Sequence, residues 1–573
     1  MKNSVLKRRF WLVMVLAFST LLVSVLVYAN LGSYDEIRIT DSEIGSGFSN
    51  DDSSQELGTE PEGHKQSSES VEGSIGETSE KSDSDVASLR VPIVNPATTV
   101  HQIESDYYSD KEYQFDGVND REVRDASVRD FSAYTPPTNT NLKKTVLGFA
   151  PYWVIDSYSQ YFQMDKLSVL AYFSVACFPD GSLVKVCVGG QSSCGDKSGW
   201  EGWNSQIMRN IISEAHANGT KVVMTIKNFD KPSIEQLIAN PAAIDRLADN
   251  IIYEMEAKNT DGVNIDFEYI GTASSTNRLR FAGFVDEIAD RVHAARPGSH
   301  VSVDILATSG INPLLYDVNA LGKTSVDHIM VMSYDFHSTS YFSGKMAGPE
   351  SPLYGAQYWY NVSRSMNDIA ALTRGYKILM GVPYYGLEFP VSGSTWPYKN
   401  ATVIADGAIS TYGNVVDSKY DAWHNSSTIQ WDSGEKLTWY RYRWPDPSGG
   451  PEYWQGYYDD PNSLGAKYDF VNAKNLGGIG IWALGYDRSR TELWRTIRDK
   501  FSMEPFIVTF NEGVSSSRQN QIHSSLGGIV QRSIGERSFL VKPQNKTSED
   551  LIEDYRGISE VAEADFGIYH SMN

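Results

Sequence analysis

The chain of 573 residues carries only three cysteines, Cys177, Cys187 and Cys194. No CxxC pair and no Cys/His cluster at ligand spacing accompanies them, which excludes a structural zinc module. No G-x-G-x-x-G turn follows the first β-rich run, which argues against a dinucleotide-binding domain. Basic residues are in the minority. Fifty Lys and Arg face 72 Asp and Glu, for a formal net charge of −22. Phosphate repels a surface of that sign, so no nucleic-acid partner is expected. Cys187 and Cys194 bracket a Gly/Ser-rich loop. Either they close a small disulfide in an oxidising compartment, or the three thiols are unrelated.

Aromatics, by contrast, are plentiful, with 13 Trp, 33 Tyr and 22 Phe. They concentrate after residue 145, and the core is expected there.

The N-terminus bears on the compartment. Lys2, Lys7, Arg8 and Arg9 precede an apolar run from Phe10 to Ala29. A charged start followed by such a run reads as an export signal. Its length is close to the ~20 residues that span a bilayer, while Val27-Tyr-Ala29 resembles a cleavage site. Residues 1–30 are thus a cleaved signal or a retained anchor that would hold the protein to the membrane. Either way the rest is extracytoplasmic. Residues 31–142 are acidic and Ser-rich, and are expected to be a disordered linker.

Eight β-rich runs follow, alternating with helical patterns. They are Val146–Trp153, Leu167–Phe173, Lys221–Lys227, Gly262–Glu268, His300–Asp304, Val326–Tyr334, Tyr376–Tyr384 and Gly478–Leu484. Ile244, Leu247, Ala248, Ile251, Ile252 and Met255 mark one intervening helix. Phe281, Phe284, Val285, Ile288 and Val292 mark another. Strands alternating with helices pair in parallel, and eight such units predict an α/β fold, a closed (β/α)8 barrel over 143–503. Residues 387–458 are too long for a loop and rich in Trp. Trp396, Trp423, Trp431, Trp439, Trp444 and Trp454 lie in or beside this stretch. Thr428–Arg443 reads as a hairpin turning at Asp432-Ser-Gly434. A small β-rich insertion between strands 7 and 8 is expected there, on the catalytic face. Residues 504–573 form a polar tail without an assigned role.

The segment Asp261-Gly-Val-Asn-Ile-Asp-Phe-Glu268 is the most informative in the chain. Side chains alternate along a strand, so Asn264, Asp266 and Glu268 share one face, which in a barrel points inward. Glu268 falls at the C-terminal end of the strand, where such barrels place their active sites. Burial and a neighbouring carboxylate both raise the proton affinity of a Glu, suiting it to general acid catalysis.

This segment resembles the D-x-x-D-x-D-x-E signature of glycoside hydrolase family 18, the chitinase family. Met332-Ser-Tyr-Asp335 resembles that family's sixth-strand motif. Trp482 in Gly480-Ile-Trp-Ala-Leu484 resembles the tryptophan that floors its sugar pocket. The resemblance implies retaining, substrate-assisted hydrolysis. Glu268 would protonate the leaving oxygen, and the substrate's 2-acetamido carbonyl would attack the anomeric carbon to form an oxazolinium ion. Asp266 would orient the acetamido N–H and Tyr334 its carbonyl. Met332 and Asp335 would shape the pocket, Trp482 would stack under the sugar, and Tyr152 and Phe173 would line the site. Asn264 stands where the family has an aspartate. It could donate to Asp266 but not take its proton. The run Gly262-Val-Asn-Ile-Asp-Phe-Glu268 is closest to the spore-cortex and cell-wall branch of the family. No LysM-like repeat or chitin-binding module separates chitin from peptidoglycan as substrate. The resemblance calls for no cofactor and no metal, and for a monomer acting on N-acetylglucosamine polymers. Two other readings stand beside it: a lectin-like barrel without turnover, and a membrane-tethered scaffold acting through its insertion or tail.

Overall fold

The computed structural model describes residues 91–92, 99–118 except 110 and 112, 135–139, and 141–566 except 188–194, 341, 356–359, 393–398, 423–428 and 444–452. The apolar run at 10–29, and Trp396, Trp423 and Trp444, lie outside them. Among the described residues no helix is long and apolar enough to cross a membrane.

Eight parallel strands close into a barrel: Thr145–Pro151, Val169–Ala176, Lys221–Asn228, Gly262–Phe267, His300–Leu306, His328–Met332, Ile378–Pro383 and Gly478–Trp482. The last pairs with the first through Ile479↔Val146 and with the seventh through Ile479↔Met380, so no edge is left open. The strands are buried along almost their whole length because helices cover the outer face. The helix Pro241–Lys258 is capped by Asn240 and buries Leu247, Ala248, Ile251 and Met255. Pro461–Ala473 opens with the capping pair Asp460 and Ser463.

The insertion between strands 7 and 8 is an antiparallel sheet. Its strands are Tyr385–Pro390, Ala408–Thr411, Ile429–Asp432, Leu437–Arg443 and Tyr453–Tyr458, with Val91–Pro92 paired along one edge. The hairpin at Asp432 forms as expected: Asp432 Oδ1 accepts the N–H groups of Gly434 and Glu435, both at 2.8 Å. Cys187 is disulfide-bonded and Cys177 is a buried free thiol, while Cys194 lies outside the described residues.

Two expectations change. Residues 504–573, read from sequence only as a polar tail, contain a folded unit. Phe506–Asp565 folds as a β-α-β-β-α-β unit whose antiparallel strands order as Gly528–Ser533, Ser538–Pro543, Phe506–Phe510 and Val561–Asp565. It has its own core of Phe506, Val508, Phe510, Ile522, Val541, Leu551, Ile552 and Tyr555. The span 31–142 is also not wholly linker. Val100–Ser109 is a helix whose Val100, His101, Gln102, Glu104, Ser105 and Tyr108 are buried against the barrel. Thr99 caps it, accepting from Gln102 N–H at 3.3 Å through its hydroxyl and from Ile103 N–H at 3.0 Å through its carbonyl.

Candidate active site

At the C-terminal mouth of the barrel, strand 4 turns Asn264, Asp266 and Glu268 inward, all buried. Tyr334 and Asp335 follow the end of strand 6, and Met332 is its last residue. Tyr334 fits against strand 7 because position 381 is glycine. A Cβ there would lie 2.9 Å from Tyr334 Cε1. Asp335 takes a left-handed backbone, φ 59°, and its Oδ1 accepts from Tyr385 Oη at 2.5 Å. The floor is Trp482, with Phe173 edge-on at 4.7 Å and Phe149 tilted at 5.6 Å.

The amide of Asn264 does not serve Asp266. Its Nδ2 donates to Asp304 Oδ2 at 2.8 Å, and its Oδ1 accepts from Ser302 Oγ at 2.6 Å. Asp304, on strand 5, is pushed well above the usual carboxylate range by burial and by the charge of Asp266. The site therefore has a third inward carboxyl that the motif does not contain. Glu268 is raised to about 7, first by burial and then by Asp266, against the bonds from His101 and Thr99. A carboxyl with that affinity holds a proton near neutrality and can donate it.

The helix Val100–Ser109 enters this cleft. The His101 ring stacks on Trp482 with centroids 3.7 Å apart. Its Nδ1 hydrogen-bonds Asp266 Oδ2 at 3.1 Å and lies 3.0 Å from Glu268 Oε1, and its Nε2 meets Tyr334 Oη at 2.8 Å. Thr99 Oγ1 donates to Glu268 Oε2, and Val100 N–H donates to Asp335 Oδ2 at 2.8 Å. Glu104 Oε2 accepts from Trp482 Nε1 and from Tyr486 Oη, both at 2.8 Å. His101, Asp266 and Glu268 would offer a metal ion three ligand atoms within 4.8 Å of one another. As they stand, the ring nitrogen itself bridges the two carboxylates.

The family model of glycosyl hydrolases family 18 matches residues 145–487, more than half of the chain. The chain belongs to that family. Among family 18 relatives, the putative sporulation-specific glycosylase YdhD of Bacillus subtilis (strain 168) is 28% identical over 265 residues. That alignment takes in 46% of this chain and 56% of YdhD, little more than half of the relative's length. Di-N-acetylchitobiase of Rattus norvegicus is 25% identical over 314 residues, 51% of this chain and 79% of that protein. The group IV chitinase of Ostrinia furnacalis, solved in complex with allosamidin, superposes with a TM-score of 0.52 over 62% of this chain and 97% of its own. At 18% identity that is a likeness of fold.

Within this family 18 barrel, one cluster gathers Glu268, Asp266, Tyr334, Asp335, Phe173 and Trp482 about the His101 ring. Asn264 lies one pleat deeper, on Asp304. Tyr152 is not brought into the cluster. It opens the helix Tyr152–Tyr158, and its ring packs on Tyr113 at 5.3 Å and Trp153 at 4.9 Å. Its neighbour Trp153 stands beside Trp482 instead, at 6.4 Å. His101, Glu104, Asp304 and Tyr385 were not among the residues singled out from sequence. Nothing local to their sequence marks them: His101 and Glu104 sit in a segment with the composition of a linker, and Asp304 and Tyr385 stand outside any motif.

Proposed function

We propose that the chain hydrolyses β-1,4 bonds in polysaccharides containing N-acetylglucosamine, with retention and with the substrate's own acetamido group as nucleophile. One observation carries this reading: Glu268, Asp266 and Tyr334 all converge on a single ring-sized volume above Trp482. A proton donor, an anion and a hydroxyl aimed at one small ring are what cyclisation of an acetamido sugar requires.

Glu268 gives its proton to the leaving glycosidic oxygen as the acetamido carbonyl oxygen bonds to the anomeric carbon. Asp266 accepts from the acetamido N–H and opposes the positive charge that spreads over the new five-membered ring. Tyr334 donates to the carbonyl oxygen and holds it for attack. Water then opens the ring with Glu268, now ionised, as base, which restores the starting configuration. Asp335 and Met332 wall the pocket, and Trp482 stacks under the sugar. The similarity to YdhD favours a cell-wall polymer, and the similarity to di-N-acetylchitobiase a chitin fragment; either presents the same acetamido group. Export through the N-terminal run, with an extracytoplasmic monomer as the working form, completes the reading.

The test is product analysis on chitin oligomers and on peptidoglycan, side by side. Because His101 fills the pocket, H101A is assayed beside the wild type, and E268Q is built into both. New reducing ends with either polymer, lost on E268Q, are expected. H101A that binds the oligomers yet turns over no faster than H101A/E268Q would instead favour a lectin.

A further inference from the structure

Nothing in that reaction uses His101, yet His101 is held by three of the groups that perform it. From this we infer that the helix Val100–Ser109 is an internal inhibitor, a plug from the chain's own N-terminal side that occupies the sugar pocket and must leave before substrate enters. The inference rests on the reading of the site given above and adds its regulation.

The imidazole matches the cyclic ion of the reaction in shape. In the cyclic ion of the proposed reaction, an oxygen and a nitrogen flank one carbon of a flat five-membered ring. The two nitrogens of imidazole flank Cε1 in the same relation. In the structure one of them faces Asp266 at 3.1 Å and the other Tyr334 at 2.8 Å, the two groups assigned to the N–H and the oxygen of that ion. The ring lies on Trp482 with an interplanar angle of 29°, as a sugar-derived ring would.

The imidazole matches that ion in charge as well. The cyclic ion is a cation, and so is a protonated imidazole. Burial alone would lower the proton affinity of His101, but Asp266 and Glu268 reverse that and raise it to about 10. The two carboxyl groups, 3.1 and 3.0 Å from Nδ1, thus favour the imidazolium form of the ring.

The plug also pairs with each side chain to which the proposed reaction gives a polar role, Asp266 and Tyr334 through His101. Thr99 takes Glu268, Val100 N–H takes Asp335, and Glu104 takes the indole N–H of Trp482. Farther out, Tyr108 stacks on Trp153 at 4.7 Å and 11°, and Ser105 accepts from Lys227 Nζ at 2.6 Å. Sugar and plug exclude each other.

Two general considerations fit a switch rather than a permanent wall. A helix of ten residues is marginal on its own, so it holds its form only while docked. Being covalently joined to the barrel, it competes at an effective concentration on the order of millimolar, so modest intrinsic affinity is enough to close the site. A plug of this kind lowers the fraction of open enzyme and raises the apparent KM and ligand Kd by the same factor, leaving kcat at saturation little changed.

The experiment uses the full chain as wild type, H101A and Y108A. Tyr108 contacts no catalytic group, so Y108A loosens the plug without entering the pocket and serves if H101A folds poorly. Turnover is followed on a fluorogenic chitotrioside. Affinity for the thiazoline of N-acetylglucosamine is measured by calorimetry in the E268Q background. We expect H101A to raise kcat/KM and tighten thiazoline binding about tenfold or more, mostly through KM, and Y108A to do so several-fold. A synthetic peptide of residues 97–110 should inhibit H101A competitively, and the same peptide with alanine at 101 should not. Wild type, H101A and Y108A that bind and turn over alike would overturn the plug and leave the hydrolase standing. Thiazoline that binds none of them, with no turnover in any, would overturn the hydrolase reading and the plug that rests on it.

Discussion

Glu268 must hold a proton when substrate binds, and the groups around it set the pH at which it does. Burial and the charge of Asp266 raise it to about 7, while bonds from His101 and Thr99 pull it down. Its protonated form is the active one, so kcat/KM should fall as pH rises through that value. Removing the imidazole takes away two of the lowering influences. In H101A the alkaline limb should therefore move to higher pH, and a pH–rate profile of the two proteins reads the shift directly. In the H101A background, E268Q should lower turnover about 100-fold or more. D266N should cost both rate and thiazoline affinity; unchanged values for both would remove substrate assistance. Asp304 invites a different test. Burial and Asp266 keep it neutral, so D304N swaps one uncharged acceptor for another and should leave the melting temperature nearly unchanged. D304A leaves the buried Nδ2 of Asn264 with only the long contact to Thr225 Oγ1, at 3.5 Å, and should cost about 1–3 kcal/mol in a denaturant titration. Asn264, Asp266 and Glu268 were legible because strand alternation places them on one face. Asp304 was not, because a single carboxyl in His300-Val-Ser-Val-Asp304 has no motif around it, and it is register with strand 4 that aims it at Asn264.

At the level of elements, period-two and period-3.6 patterns brought out all eight barrel strands with ends within three residues of those observed. The Asp432 hairpin came out as well, since turn chemistry is local. The helix at 100–109 escaped for the converse reason. Its His, Gln, Glu and Ser are buried by partners far away in sequence, and without those partners the segment has the composition of the linker around it. Tyr152 was misplaced by a similar shortfall. The strand ends at Pro151, and one residue of helical rotation turns Trp153, not Tyr152, toward Trp482. The plug's dependence on helical form yields a test that keeps His101 itself. Ile103 N–H donates to Thr99 carbonyl at 3.0 Å, and proline at 103 removes that bond and clashes with the preceding turn, a cost of roughly 3 kcal/mol. I103P should raise kcat/KM in the same direction as H101A. An inhibited I103P would mean that the imidazole binds without its helix.

On the scale of the whole molecule, the two ends of the barrel are buried by opposite chemistry. The mouth collects carboxylates around a cation, whereas the base collects imidazoles. His300 and His328 open strands 5 and 6 and stack at 5.2 Å. Burial, and for His300 the neighbouring ring, lower them to about 3 and about 4. Beside them Asp327, despite its burial, is held to about 2 by His293, whose Nε2 lies 3.0 Å away, and by Val301 N–H at 2.8 Å. Lys166 pairs with Glu504 at 2.6 Å, two residues before the C-terminal unit begins. Unfolding lets each histidine return to its ordinary value of 6.5, where it takes up a proton that the native barrel refuses. Their contribution is thus complete above pH 6.5 and is lost as pH falls toward 4, at up to about 1.4 kcal/mol per pH unit for each group. Asp327 adds a loss of the same sign lower down, as pH falls from its ordinary 3.8 toward 2. The buried carboxyls Glu268 and Asp304, raised above their ordinary values, act in the opposite sense over the same range, so the share of the histidines is read as a difference between two proteins rather than from the wild-type curve alone. H328Q, which cannot take up a proton in either state, should gain in melting temperature relative to the wild type as pH falls from 6.5 to 4, even if it lowers stability at pH 7. An unaltered slope in H328Q would show that the acid sensitivity of the fold resides elsewhere than in the base of the barrel.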